Sequence, residues 1–232
     1  MIYSGVNAMA LERIPQSAKR VLDIGCGSGA LGQEIKKRIS CEVVGITYSK
    51  EEAALASKVL DQVLVRDLEQ FDVREAGRFD CVVCSHVLEH VSRPENLLRQ
   101  IHESLTPGGR LVVVLPNILF WKQRWLFIQG HFKYTQDGLM DRTHIRFFDW
   151  QTAHGLLRGA EYVILESVAD GMFPLPGFRR VFSGLGRKID QAMGRSFPGL
   201  FGMQFVFTCE SRDAGFPQDE NRTTPTRRPL PA

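Results

Sequence analysis

Two kinds of apolar segment alternate along the chain from residue 20 to 116, and this alternation constrains the fold more than any other feature. Three segments predict helices: ALGQEIKKRI, KEEAALASKVL and PENLLRQIHESL. The runs around them are continuously apolar, as in parallel strands that are covered on both faces. The sequence therefore predicts an α/β fold with three layers, α/β/α, and a mostly parallel sheet. The predicted strands are RVLDIG (20–25), CEVVGI (41–46), QVLVRD (62–67), FDCVVCS (79–85) and GRLVVVLP (109–116).

The regular alternation ends after residue 116. Residues 118–148 and 171–202 carry many aromatic side chains beside Lys, Arg, Gly and Pro, and we interpret both as lid or acceptor-binding segments. A helix near 150–158 and two strands, at 161–168 and 203–211, complete the prediction. Asp149 is the expected N-cap of that helix, because a short polar side chain there can accept a hydrogen bond from a free backbone amide.

The predicted domain covers residues 20–211, after an N-terminal segment at 1–19 and before a polar, proline-rich tail at 212–232 that we expect to be disordered. The net charge of +3 gives no reason to expect nucleic-acid binding. No apolar run approaches the roughly 18 residues of a membrane span, and the first residues do not form a signal-peptide pattern. We therefore expect a cytoplasmic protein.

A glycine-rich loop, DIGCGSG (23–29), follows the first predicted strand and precedes the first long helix. Its glycines allow a tight turn and a close approach of ligand to backbone amides. Either a dinucleotide pyrophosphate or the methionyl and adenosyl parts of S-adenosylmethionine would suit such a loop. A dinucleotide site normally has an acid near the end of the second strand for the ribose. Here that strand ends at Thr47 and no acid is evident, which favours S-adenosylmethionine.

Four segments together carry a family resemblance: VLDIGCGSG, VLVRD, FDCVVCSHVLEHV and LLRQIHESLTPGGRLVVVLPN. In this order and spacing, over residues 20–116, they resemble the class I S-adenosylmethionine-dependent methyltransferases. The resemblance implies an enzyme with a Rossmann-like, seven-stranded sheet whose last strand inserts antiparallel. It also implies S-adenosyl-L-methionine as the cofactor.

A narrower resemblance lies outside this core, in YSGVN, FKYTQDGLMDRTHIRFFD and PGLFGMQFVF. These segments resemble a bacterial subgroup whose members often accompany glycosyltransferases in cell-surface glycan clusters; the methyltransferase-like protein of methionine biosynthesis is more distant. The resemblance implies O-methylation of a glycan or glycan-precursor hydroxyl. Two alternatives stay open: methylation of a small aromatic or quinone-like hydroxyl, and a non-catalytic methyltransferase-fold subunit that regulates a partner enzyme of the same pathway.

The family pattern also implies individual roles. The glycine loop should surround the methionyl end of the cofactor, Asp67 and Leu68 should lie near the adenine, and Ser85 and His86 should border the methyl group. The family usually has Asp or Glu in place of Thr47, so we expect weaker cofactor binding or compensation from a neighbour. The predicted cofactor-binding residues are Asp23, Gly25, Cys26, Gly27, Thr47, Asp67, Leu68 and Ser85.

Two histidines are the candidate catalytic residues, because a hydroxyl acceptor benefits from a general base near neutral pH. His144, in GLMDRTHIRFFDW (138–150), is the first candidate, with Asp141 or Asp149 orienting its ring. His86 is the second. Two alternatives for His144 stay open. One is direct substrate binding without proton transfer, and the other is a structural place, hydrogen-bonded inside an ion-pair clasp of Asp141, Arg142 and Arg146 that fixes the lid.

No metal site is expected. His86, Glu89 and His90 match an inverted zinc-protease motif, but they span the end of a strand and the start of a helix rather than one helix. They also resemble the E-x-x-E-H group with which some quinone-pathway O-methyltransferases bind a divalent cation, with His86 in place of the first Glu. Cys81 and Cys84 should point to opposite faces of a strand.

The second aromatic and basic segment, residues 171–202, has two possible interpretations. It contains five Arg or Lys side chains and GFRRVFSGLGRKIDQAMGR, which suggests an amphipathic helix. One interpretation is a substrate lid with solvated charges. The other is a peripheral contact with the membrane or with a lipid-linked or phosphorylated glycan.

Overall fold

A computed structural model describes residues 5–174 and 183–211. Within these residues, seven strands form one sheet in the order β3-β2-β1-β4-β5-β7-β6. The strands are β1 (Arg20–Ile24), β2 (Glu42–Thr47), β3 (Gln62–Val65), β4 (Phe79–Ser85), β5 (Leu105–Pro116), β6 (Tyr162–Gly171) and β7 (Gly202–Ser211). The helices are α1 (Ala8–Glu12), α2 (Ala30–Arg38), α3 (Lys50–Ala56), α4 (Pro94–Ser104), α5 (Trp121–Ile128), α6 (Trp150–Gly159), α7 (Ser183–Ser196) and α8 (Pro198–Phe201).

The first five strands pair in parallel, and β7 lies antiparallel between β5 and β6. The predicted Rossmann-like, seven-stranded fold with an antiparallel last strand is therefore confirmed. Because β7 runs against its neighbours, its first residues lie at the edge where the parallel strands end: Gln204 is paired with Pro116, the last residue of β5. This edge is where open α/β sheets bind ligands.

Apolar side chains cover both faces of the sheet, which explains the continuous apolar runs. One buried cluster joins the sheet to α4 and α6, and a second joins it to α1, α2 and α3. Neighbouring strand residues alternate between the clusters. Cys84 belongs to the first and Cys81 to the second, so the two thiols lie on opposite faces as predicted.

The connecting helices begin where the sequence indicates. The Asp149 side chain accepts a hydrogen bond from the amide of Thr152, and the Thr152 hydroxyl accepts one from the amide of Asp149, forming a capping box. The predicted N-cap of α6 is confirmed.

In the N-terminal segment, Ala10 and Leu11 of α1 are buried in the same core as α2. The tail predicted at 212–232 lies outside the described residues.

No helix within residues 5–174 and 183–211 combines the length and the apolar character that crossing a membrane requires.

Candidate active site

The glycine loop lies at the carboxyl end of β1, between the ends of β2 and β4. The amides of Gly25 and Cys26 both donate to the Ile46 carbonyl, 2.9 Å away, which ties the loop to the end of β2. Gly25 and Gly27 have φ angles of 73° and 53°, in the left-handed region that favours glycine. A Cβ on Gly25 would also lie 2.6 Å from Cγ2 of Val87. The loop therefore requires glycine at residue 25 for two separate reasons.

Asp23 carries a carboxylate near the end of β1, just before this loop. Its side chain is 2% exposed, and its Oδ2 atom has no hydrogen-bond partner among the described residues. Burial raises its pKa from 3.8 to about 7, because a charged carboxylate loses its hydration inside the protein. An unpartnered acceptor at a ligand-binding edge suits a ligand that supplies a proton donor or positive charge.

Thr47 ends β2 beside the loop, and the structure gives it a partner that sequence reasoning missed. The Thr47 hydroxyl donates to Glu52 Oε2 at 2.8 Å, and both side chains are buried. Glu52 comes from the first turn of α3, where its amide donates to the N-cap Ser49. The sequence signal was an acid in the first turn of a predicted helix that follows directly on β2. The carboxylate absent from the strand end is thus supplied by the following helix.

Asp67, Leu68 and Ser85 occupy the next two strand ends. Both oxygens of Asp67 serve its own loop, accepting from the Glu69 amide and from Gln70 Nε2 at 3.0 and 3.2 Å. Leu68 packs against the core and lines a cavity of about 260 Å³. A larger cavity of about 500 Å³ lies at the opposite edge, near Thr106 at the start of β5, where ligands of such sheets are not expected.

His86 follows β4 in an unusual backbone conformation, with a φ angle of 55° that non-glycine residues rarely adopt. Its Nδ1 atom lies 3.2 Å from Glu89 Oε1, and its Nε2 atom lies 2.9 Å from Gln204 Oε1. Gln204 Nε2 donates to Asp170, which turns the amide oxygen toward the ring. The His86 side chain is 42% exposed, while that of Glu89 is fully buried.

Both ring nitrogens of His86 therefore face hydrogen-bond acceptors. Burial lowers the pKa of His86, but the hydrogen bond and charge of Glu89, together with Gln204, outweigh it and raise that pKa above 6.5. A buried carboxylate behind an exposed imidazole can orient the ring and stabilise its protonated form. The pair has the arrangement of a general base and its orienting group.

His144 lies deeper, with 9% of the residue exposed. Its Nδ1 atom is 3.3 Å from the Leu139 carbonyl, and its Nε2 atom is 4.0 Å from Glu89 Oε1. Burial is the main cause that lowers its pKa, opposed by Glu89. Neither acid expected to orient it does so by a hydrogen bond, because Asp141 accepts from Thr143 and Asp149 caps α6.

The segment that contains His144 is fixed by backbone hydrogen bonds rather than by the predicted ion pairs. The amides of Ile145 and Arg146 both donate to the Glu89 carbonyl, at 2.9 and 3.0 Å, and the Arg146 guanidinium donates to the Ser92 carbonyl. No ion pair links Asp141 to an arginine in the described ranges 5–174 and 183–211. The backbone carbonyl is available because Glu89 lies in a short 3-10 turn, Leu88–His90.

This docking brings three potential metal ligands together. Ligand atoms of Glu89, His90 and His144 all lie within 4.8 Å of one another, and Glu89 Oε2 has no hydrogen-bond partner among the described residues. The set differs from the sequence motif, because His144 joins it from a distant segment. These three side chains could hold an ion, so the expectation of a metal-free site stays a prediction.

The segment after β5 presents exposed aromatic side chains. Trp125, Phe132 and Tyr134 are each about half exposed or more, and Phe127 stacks on Phe132 with ring centres 5.5 Å apart. Exposed, clustered ring faces suit a flat or ring-shaped partner, because aromatic faces stack on other rings. The interpretation of this segment as an acceptor-binding surface stays a prediction.

A family model described as a methyltransferase domain matches residues 4–167. The chain belongs to the methyltransferase domain family. The match covers the glycine loop and the strand ends described above, together with the segment that contains His144. The predicted enzyme class and its cofactor, S-adenosyl-L-methionine, are confirmed at the level of this family.

Two similar proteins are ubiquinone biosynthesis O-methyltransferases. The one from Xanthomonas axonopodis pv. citri is 34% identical over 122 residues, covering 48% of this chain and 51% of that protein. The one from Aeromonas salmonicida is 36% identical over 105 residues, covering 43% and 44%. The chain thus spans about half the length of the curated relatives it matches. These alignments support the family and the catalytic core, but cover too little to establish an acceptor.

A solved structure shares the fold more completely. The crystal structure of a SAM-dependent methyltransferase from Archaeoglobus fulgidus has a TM-score of 0.58 at 18% identity, and the match covers 84% of this chain and 86% of that one. At this identity the similarity establishes the fold of the methyltransferase domain and nothing about its substrate.

The residues of the domain fit S-adenosylmethionine. The unpartnered oxygen of Asp23 suits the positively charged methionyl end, and Gly25 gives the loop the left-handed turn that follows β1. The Thr47–Glu52 pair supplies polar groups at the neighbouring strand end. Each group lies at the carboxyl edge of the sheet, as binding of one extended ligand requires.

Proposed function

We propose that the chain is an S-adenosylmethionine-dependent O-methyltransferase. The observation that carries the proposal is the His86–Glu89 pair, an exposed imidazole with a buried carboxylate at 3.2 Å, at the end of the strand beside the glycine loop. Bound S-adenosylmethionine supplies a methyl group on a sulfonium centre. The protein must hold an acceptor oxygen in line with that methyl and remove its proton.

His86 is the proposed proton acceptor. Gln204 occupies its Nε2 side in the structure, so an acceptor hydroxyl would replace the Gln204 contact at that atom. The hydroxyl proton passes to Nε2, while Glu89 holds Nδ1 and stabilises the resulting imidazolium. Because Glu89 is fully buried, its charge is poorly screened and its effect on the ring is strong.

His144 has the geometry of a structural residue. It is enclosed between Glu89 and the Leu139 carbonyl, inside a segment docked by two backbone hydrogen bonds to the 3-10 turn. Its base role stays a prediction, and the burial of its ring favours the alternative in which it holds the segment in place.

The acceptor that the relatives favour is a hydroxyl on a small aromatic or quinone-like ring, since both described relatives are named for ubiquinone biosynthesis. The exposed rings of Trp125, Phe132 and Tyr134 support a planar acceptor. A glycan or glycan-precursor hydroxyl is the second candidate. It is favoured by the resemblance of FKYTQDGLMDRTHIRFFD to the glycan-associated subgroup, and this segment docks on the carbonyl of Glu89 through two backbone amides.

The regulatory-subunit alternative depended on the missing acid at Thr47. Glu52 now provides a buried carboxylate 2.8 Å from that hydroxyl, which removes its main support. Contact with a membrane or lipid-linked substrate, a partner enzyme and a cytoplasmic location stay predictions. For the membrane contact, part of the relevant segment, residues 175–182, lies outside the described residues.

An acceptor screen tests the proposal directly. The full chain is incubated with S-adenosylmethionine and either catechols and hydroxyquinols or nucleotide-linked and lipid-linked sugars, and S-adenosylhomocysteine and methylated product are quantified. Product with the ring compounds supports the first candidate, and product with sugars alone supports the second. No turnover in either arm, together with no calorimetric binding of S-adenosylhomocysteine, would contradict a methyltransferase.

A further inference from the structure

We infer that Glu52, together with Thr47, binds the ribose hydroxyls of the adenosyl cofactor, so that the helix α3 supplies the acid that the end of β2 lacks. The inference rests on the proposed function and specifies how this chain performs it. Its basis is the 2.8 Å hydrogen bond from the Thr47 hydroxyl to Glu52 Oε2, between two buried side chains at the ligand-binding edge.

The path of the chain explains why a helical residue reaches this position. The N-cap Ser49 accepts a hydrogen bond from the Glu52 amide, so α3 starts three residues after β2 ends and its first turn stays beside Thr47. Farther along α3, Ala56 contacts the glycine loop: a Cβ on Gly29 would lie 3.0 Å from its Cα. Absence of a side chain at Gly29 therefore lets α3 pack close to the loop.

Glu52 and Asp23 both act on the thiol of Cys26 in the glycine loop. Burial is the main cause that raises the pKa of this thiol, and the charges of Asp23 and Glu52 raise it further. Asp23 has an oxygen without a hydrogen-bond partner among the residues described. Two buried carboxylates at adjacent strand ends match an extended ligand with a cationic end and a polyhydroxyl centre.

Ribose hydroxyls are the groups that best suit the Thr47–Glu52 pair. A carboxylate has about four acceptor positions, and the Thr47 hydroxyl occupies one of those on Glu52. In nucleotide-binding α/β folds an acid at the second strand end binds the ribose. Here Thr47 accepts from the Ser49 amide at 3.3 Å and donates to Glu52, which fixes the carboxylate in place.

One reason for excluding a dinucleotide thereby disappears, because an acid does lie at the end of β2. Unlike a dinucleotide, S-adenosylmethionine has a cationic methionyl end that suits Asp23. The test therefore includes NAD as a competing ligand.

Isothermal titration calorimetry of the full chain distinguishes a direct contact of Glu52 with the ribose from a structural effect of Glu52 on the fold. Glu52→Gln is compared with Glu51→Gln, a fully exposed neighbour in the same turn, using S-adenosylhomocysteine and its 2′-deoxy and 3′-deoxy analogues. A charge-assisted hydrogen bond of ordinary strength predicts about 10- to 100-fold weaker binding of S-adenosylhomocysteine to Glu52→Gln and no change for Glu51→Gln. The loss of affinity in Glu52→Gln should be smaller for the deoxy analogue that lacks the hydroxyl bound by Glu52.

A second variant, Thr47→Asp with Glu52→Gln, moves the acid to the strand end and should recover most of the lost affinity. Equal losses for all three ligands would assign Glu52 a structural role and overturn the inference while leaving the proposed function intact. Binding of NAD but not S-adenosylhomocysteine by the unchanged chain would overturn both. Thermal melting of every variant identifies any loss that comes from unfolding.

Discussion

The cofactor side and the acceptor side of the site are built in opposite ways. On the cofactor side, buried groups lie in the strands β1 and β2 and in the first turn of α3, beside a glycine loop tied to the sheet by hydrogen bonds; they include Asp23 and the Thr47–Glu52 pair. On the acceptor side, the long segment after β5 presents exposed rings such as Trp125 and Phe132. We infer from this difference that the strand ends provide the chemistry common to the family, and we propose that the long segment after β5 determines the acceptor.

His86 lies at the junction of the two sides, and its substitution should have the largest effect. His86→Gln should lower kcat by about 10²- to 10⁴-fold, the usual contribution of a general base, and leave cofactor binding within about twofold. Steady-state kinetics and calorimetry measure the two quantities separately. His131→Gln, an exposed histidine of the acceptor segment, is the matched control. Unchanged kcat in His86→Gln would remove the proposed base.

Asp23→Asn should have opposite effects on cofactor binding and on the stability of the fold. We expect roughly 100-fold weaker binding of S-adenosylmethionine, because a charge-assisted interaction is lost. The folded pKa of Asp23 is about 7 against 3.8 for the free group, so the folded state holds this proton more tightly than the unfolded state. The ionised carboxylate therefore destabilises the fold progressively as pH rises from 3.8 to 7, by at most about 4 kcal/mol above that range.

Denaturant unfolding without cofactor tests whether the ionised Asp23 carboxylate lowers the free energy of unfolding. Asp23→Asn should be more stable than the unchanged chain at pH 8, and the difference should shrink toward zero near pH 4. Asp137→Asn, an exposed acid, should show no such dependence. A variant that is less stable at pH 8 would show that the carboxylate makes favourable contacts in the empty protein.

Gly25→Ala should cost about 2 kcal/mol of unfolding free energy and weaken cofactor binding, because it combines a left-handed φ with a close contact to Val87. Gly108→Ala is a close control, since Gly108 has the same φ of 73° and open space where the Cβ would lie. Adding Val87→Ala should restore part of the loss in Gly25→Ala only. Equal losses at both glycines would mean that backbone conformation alone sets the cost.

Trp125→Ala should have the smallest effect, on acceptor recognition alone. Loss of one exposed ring face should raise the acceptor KM by about 3- to 10-fold, since a ring contact contributes about 0.5–1.5 kcal/mol beyond buried area. Cofactor affinity and melting temperature should not change. Leu165→Ala, an exposed apolar residue on β6, is the control. A change in cofactor affinity would break the division between the two sides.

Local patterns predicted the elements because their causes are local. The strands are apolar on both faces, so their continuous apolar runs were sufficient to predict them. The capping box at Asp149 depends only on residues three positions apart. The glycine loop was equally readable, since positive φ angles at Gly25 and Gly27 exclude most other residues. The Asp141 ion-pair clasp was wrong, because backbone hydrogen bonds to Glu89 already fix that segment.

The sequence by itself determined the α/β sheet, the family and the loop that faces the cofactor, because each depends on residues that are neighbours in the chain. Only the tertiary structure decided which side chains meet. His86 meets Gln204, 118 residues away, because β7 enters antiparallel, and His144 approaches Glu89 because its distant segment docks on the carbonyl of Glu89. Contacts of this kind depend on strand direction and on the packing of distant segments, and no local pattern encodes either.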